Sequence, residues 1–240
     1  MIRKTKVERK IAIIILLILG FIGLYDVGIN LKRIADYSIS VDKENILQYV
    51  EFVGPVSDMN RDWIEKVLQE QVSDEAINYI VNSGGKLRIV YCEDKDITDY
   101  FNETYNMNVI QTVGYWDGVT VPYSDPLGNL CWTDVVVQCH DMGIGELAHE
   151  LGHVYDLSHG TLSEQEEFIE KIYNNKEVFS EKVMSQAKKN REHYESNPKE
   201  YFAELYKRYC RGDFKKGYNA EMDTVVEYFD SLELKGLAKR

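Results

Sequence analysis

Proline is scarce: 240 residues contain four, and no proline-rich linker, internal repeat or low-complexity tract divides the chain. That excludes a repeat array and a chain of modules on extended linkers. Cysteine is equally scarce. Cys92, Cys131, Cys139 and Cys210 show no CxxC spacing, which argues against a thiolate metal site. Four cysteines in an exported protein allow three disulfide pairings, and buried thiols are the other reading. Basic residues are outnumbered, with 28 Lys and Arg against 40 Asp and Glu, and the net charge is -12. Nucleic acid is therefore excluded as a partner class.

Some of the basic charge is spent at the start of the chain. Arg3, Lys4, Lys6, Arg9 and Lys10 precede the apolar run from Ile11 to Tyr25. As a helix this run covers about 22 Å against the roughly 30 Å hydrocarbon layer, and Val27, Ile29 and Leu31 extend it past Asp26 and Asn30. No small-x-small cleavage site follows, so an uncleaved transmembrane signal anchor is expected over 11–31, with a cleaved signal peptide as the alternative. The positive-inside rule leaves residues 1–10 in the cytoplasm and residues 32–240 outside. The localisation expected is the cell membrane with an extracytoplasmic domain, or secretion if the segment is removed.

The exported part is long enough for one domain with a buried core. Helices are expected over Ile46–Val53, Asp58–Gln71 and Asp74–Ser83, followed by a strand over Lys86–Cys92. Strands follow over Val109–Tyr115, Val119–Tyr123 and Trp132–Val137, with a hairpin turn at Asp117-Gly118. Tyr115, Trp116, Tyr123 and Trp132 in these strands belong to a core or line a cleft. Helices then dominate: Ser163–Asn174, Lys176–Lys189, Pro198–Cys210 and Met222–Leu234. The fold class is α+β, a small mixed sheet followed by a helical C-terminal half.

Histidine, with five copies, is concentrated where it matters. His149-Glu150-Leu151-Gly152-His153 is an HExxH motif inside an apolar-striped helix that starts after Gly143 and Gly145 and ends near Ser158. Positions four apart share one helix face, so both imidazoles can grip one ion while Glu150 faces its open side. This is the layout of a zinc centre that activates water, with Glu150 as general base. His140 and His193 have no such spacing and are expected at the surface or beside the site.

A catalytic zinc needs a third protein ligand. Glu200 is one candidate: Asn197 caps and Pro198 opens a helix that carries Glu200 and Glu204 one turn apart. One carboxylate of that pair can bind the metal while the other accepts from a ligand histidine. His159 is the alternative, because His149 to His159 nearly matches HExxHxxGxxH. That pattern requires glycine where Asp156 stands, and no Met-turn follows, since Met184 falls in a polar helix.

Together the segments HELGHVYD and NPKEYFAELY resemble the lethal-factor-like zinc peptidases, the family of the anthrax lethal factor catalytic domain and the clostridial Pro-Pro endopeptidases. The resemblance spans roughly residues 85 to 235. It implies a zincin-like domain with one Zn²⁺ held by His149, His153 and Glu200, and Tyr194 as a catalytic group that stabilises the transition state. It also implies a supporting role for Asp156. The function expected is a zinc-dependent endopeptidase acting outside the cell on surface or secreted proteins, with the polypeptide bound as an extended strand. A non-catalytic surface binding protein on the same fold is the alternative.

Overall fold

The computed structural model describes residues 40–92, 97–105, 117–124, 130–140, 143–144, 146–181, 192, 194–234 and 237. The anchor segment 11–31, the strand expected over Val109–Tyr115, Tyr115, Trp116, Met184 and His193 lie outside them. No helix among the described residues is long and apolar enough to cross a membrane.

A small mixed sheet carries the domain. Its strands are β1 (Val50–Val53), β2 (Leu87–Tyr91), β3 (Gly118–Ser124), β4 (Leu130–His140) and β5 (Gly143–Ile144). Their order is β1-β2-β4-β3, with β5 also on β4; β1, β2 and β4 run parallel, and β3 and β5 run antiparallel to β4. Side chains alternate across β2 and β4 as the strand period of two requires. Leu87, Ile89, Val135, Val137 and Cys139 face the large core, while Val90 and Val136 meet Ile97 on the opposite face.

Around the sheet run α1 (Asp58–Glu70), α2 (Asp74–Ser83), α3 (Thr98–Tyr105), α4 (Leu147–Ser158), α5 (Glu166–Lys171), α6 (Lys176–Phe179), α7 (Pro198–Arg211) and α8 (Ala220–Ser231). Serines 57 and 73 cap α1 and α2 by accepting from Asn60 N and Glu75 N. α4 and α7 pack closely at Gly152, where an added Cβ would stand 3.0 Å from Ala203 Cα and 3.1 Å from Tyr206 Cδ1. A side chain there would push apart the two helices that carry the candidate ligands.

Two expected helices take other forms. Lys43–Tyr49 is a 3₁₀ turn broken at Asn45, and Val50-Glu51-Phe52-Val53 pairs with β2 as a parallel strand. The β-branched and aromatic run is better satisfied by a pleated ladder than by one more turn. The stretch expected as one helix over Ser163–Asn174 is interrupted between Leu162–Glu164, α5 and Tyr173–Asn175. Asp156 draws in Ser163 through its backbone N–H and its hydroxyl, both at 2.7 Å, and Ile172 at φ -122°, ψ -62° leaves the helical region.

A polar cluster sits in the face of the sheet away from the main core. Arg88 Nη1 donates to Asp134 Oδ2 at 2.7 Å and to the Tyr105 hydroxyl at 2.8 Å, the hydroxyl donates to the same carboxylate at 2.9 Å, and Lys86 N donates to Asp134 Oδ1 at 2.8 Å. Removing one member strands the others. Asp134→Ala is expected to lower unfolding free energy by about 3 kcal/mol in denaturant titration while metal content stays unchanged, because the cluster lies behind the sheet.

Candidate metal centre

α4 supplies two imidazoles from one face. His149 and His153 stand edge to face with ring centroids 4.8 Å apart. α7 brings the third group from 51 residues along the chain. Asn197 accepts from Lys199 N and Glu200 N, and Pro198 occupies the first turn, so the helix begins just before Glu200 and holds it in its first turn.

His149 Nε2 lies 3.2 Å from Glu200 Oε2, and His153 Nε2 lies 3.6 Å from Glu200 Oε1. One ligand atom from each of the three residues falls within 4.8 Å of the others, and together they could hold a metal ion. Ligands bound at 2.0–2.1 Å in a tetrahedron are roughly 3.3 Å apart, close to the two nitrogen–oxygen separations here, which accords with a metal ion held by these three groups.

Behind His149 stands Glu204, fully buried. Its Oε2 is 3.7 Å from His149 Nδ1, just beyond hydrogen-bond range, and its carboxylate also meets Lys207 Nζ at 2.5 Å and Arg208 Nε at 2.6 Å. Burial favours the neutral acid, but the imidazole and the two cations outweigh it and hold Glu204 down at about 2. Burial likewise disfavours a charged His149, yet Glu200 and Glu204 raise it to about 9. Glu200 is held well below the carboxylate range because the imidazoles of His149 and His153 together outweigh the cost of burial.

Glu150 is nearly buried. Thr120 of β3 donates its hydroxyl toward Glu150 Oε2 at 2.8 Å and Glu150 O at 3.0 Å. Asp117, Gly118, Thr120 and Pro122 of the same strand region join Glu150 and Glu200 in lining a cleft of about 1000 Å³. β3 is the outer strand of the sheet among the described residues. Asp117 O accepts from Gln138 N, so in this register the backbone groups of Gly118 and Thr120 point away from β4.

Tyr194 also lines the cleft, with its ring centroid 5.7 Å from that of His149. Burial and the charges of Glu204 and Glu146 raise its hydroxyl well above the usual phenol range, so it remains a donor at neutral pH. His159 is engaged elsewhere. Its Nδ1 lies 2.8 Å from Ser158 Oγ and 3.0 Å from Tyr155 O, its ring stacks on Tyr155, and its Nε2 faces Glu75. α4 continues through Asp156 to Ser158 without the sharp turn that would swing His159 round. Asp156 is fixed on Ser163, and burial raises its carboxyl despite those two bonds.

A solved structure, that of the Pro-Pro endopeptidase PPEP-2 from Paenibacillus alvei, is similar to this chain. The two share 20% identity with a TM-score of 0.50 over 77% of this chain and 97% of that one. The likeness is one of fold. This chain thus has a mixed α/β fold related to that of a peptidase. No family model matches the chain, and no curated protein does.

The sequence brings out His149, Glu150, His153, Glu200 and Glu204, and these five stand together in the structure. The sequence reading missed Thr120, whose contact with Glu150 is long-range. It missed Lys207 and Arg208 too, although their spacing of three and four from Glu204 was a usable signal. Tyr123 stacks on Trp132 at 4.5 Å and meets Tyr105 at 5.9 Å, with Trp132 41% exposed, and the pair belongs to neither the cleft lining nor the main core. Cys92, Cys139 and Cys210 all carry thiols, and His140 is half-buried at the end of β4.

Proposed function

We propose that this chain is a zinc-dependent endopeptidase of the lethal-factor-like type, with His149, His153 and Glu200 as ligands. The observation that carries it is the convergence of these three side chains, from two helices, beside a nearly buried glutamate and a peptide-sized cleft. The chemistry a bound zinc ion supplies is that of a Lewis acid, which lowers the pKa of water to around 7 and polarises a carbonyl.

The residues of the chain do the rest. Glu150 takes the proton as water attacks the peptide carbonyl and returns it to the departing amine. The Tyr194 hydroxyl, protonated at working pH, donates to the oxygen on which charge develops, a contact worth roughly 3 kcal/mol when preorganised. Glu204 turns its buried carboxylate toward His149 Nδ1 at 3.7 Å and so favours the tautomer that leaves Nε2 as the ligand atom. The outward backbone groups of Gly118 and Thr120 offer pairing to an extended polypeptide. Residues 11–31 hold the domain of residues 32–240 at the outer face of the membrane, where surface or secreted proteins are the substrates. Support for this placement is the basic start, the apolar run and the missing cleavage site.

The test is cleavage profiling of a peptide library by mass spectrometry with the zinc-loaded full chain. Cleavages that vanish on chelation and return with zinc support the reading. A profile identical with and without metal, or no cleavage, defeats it.

A further inference from the structure

The strand β3 does more to the site than border it. Thr120 Oγ1 lies 2.8 Å from Glu150 Oε2, and the carboxylate is nearly buried. Gly118 faces the same side of β3, two residues earlier, and there an added Cβ would stand 2.6 Å from Glu150 Cγ and 3.0 Å from its Oε1. The strand can close on the glutamate only because position 118 carries no side chain. The two residues grip the carboxylate between a hydroxyl and a bare backbone.

We propose that Thr120 is a positioning residue for Glu150, holding its carboxylate in the one orientation from which it can take the proton of the attacking water. This rests on the peptidase reading above. A glutamate has three rotatable side-chain bonds, and a base displaced by about 1 Å can lose roughly 100-fold in rate. A hydroxyl suits the task because it donates and accepts. While Glu150 is ionised, the carboxylate is the stronger acceptor and draws the Thr120 proton to Oε2. Once Glu150 has taken the proton of the water on its other oxygen, the Thr120 hydroxyl can go on donating to Oε2 or turn its hydrogen to Glu150 O, 3.0 Å away. No proton leaves Thr120 at any stage. Valine has the same shape and β preference but can do neither.

The experiment compares the full-length zinc-loaded parent with Thr120→Val and Thr120→Ser on the best-cleaved peptide of an internally quenched library. Metal content and melting temperature are measured alongside. Thr120→Val is expected to lower kcat about 10- to 100-fold, with KM within about twofold, one zinc per chain and an unchanged melt. Thr120→Ser, which keeps the hydroxyl, is expected to stay within about threefold of the parent in kcat. Two outcomes overturn the assignment: Thr120→Val retaining more than half of the parent's kcat, or Thr120→Ser falling as far as Thr120→Val, which would assign the effect to the lost methyl group. A parent that cleaves nothing in the library defeats the peptidase reading itself and the proposal with it.

Discussion

Glu150→Gln is expected to cut kcat about 1000-fold while leaving one zinc per chain, because the amide matches the carboxylate in size but cannot take a proton. The surroundings make this a clean substitution. Glu150 is not among the three converging ligand groups, and Thr120 can donate to an amide oxygen as it does to Oε2. Removal of the base therefore need not disturb the metal or the strand beside it. Metal content by plasma emission and turnover of a library-derived peptide separate the two properties. A variant that keeps most of its turnover would move the proton acceptor to another group, and Glu146, which also lines the cleft, would be the next to replace.

The parts of this site that could be read from the chain are those that obey a local period. His149 and His153 are four apart on an apolar-striped helix, and Asn197-Pro198 marks the start of the helix carrying Glu200, so each half of the ligand set was visible alone. Their meeting was not, because the 51-residue separation of His149 and Glu200 obeys no period; the resemblance supplied the pairing. Thr120 was invisible for the same reason, being 30 residues from its partner on a strand that reads as ordinary β. Val50–Val53 shows the limit for short elements. Three apolar residues and Glu51 fit one turn of helix as well as one short strand, and only pairing with Leu87–Val90 decides between them. The sheet order β1-β2-β4-β3 and the buried Arg88–Asp134 pair depend on contacts of that kind throughout.

The ligand set itself gives the other large effect. Glu200→Ala is expected to bring zinc from one per chain to near zero after dialysis, with affinity in chelator competition lowered by more than about 100-fold, since two imidazoles alone make a poor site. Among the described residues the two nearest candidates for the third bond are engaged elsewhere. His159 is committed to Ser158 and Tyr155, and Glu204 is fixed by Lys207 and Arg208 behind His149. Glu204→Gln then makes an informative partner, because it keeps all three ligands and removes the buried charge that faces His149, Lys207 and Arg208. Its zinc should be retained at saturation and bound roughly 10- to 100-fold more weakly. His159→Ala should leave zinc binding as it was. If instead His159→Ala emptied the site and Glu200→Ala did not, the two-helix ligand set would be wrong, and α4 would have to unwind before His159 to deliver its ring.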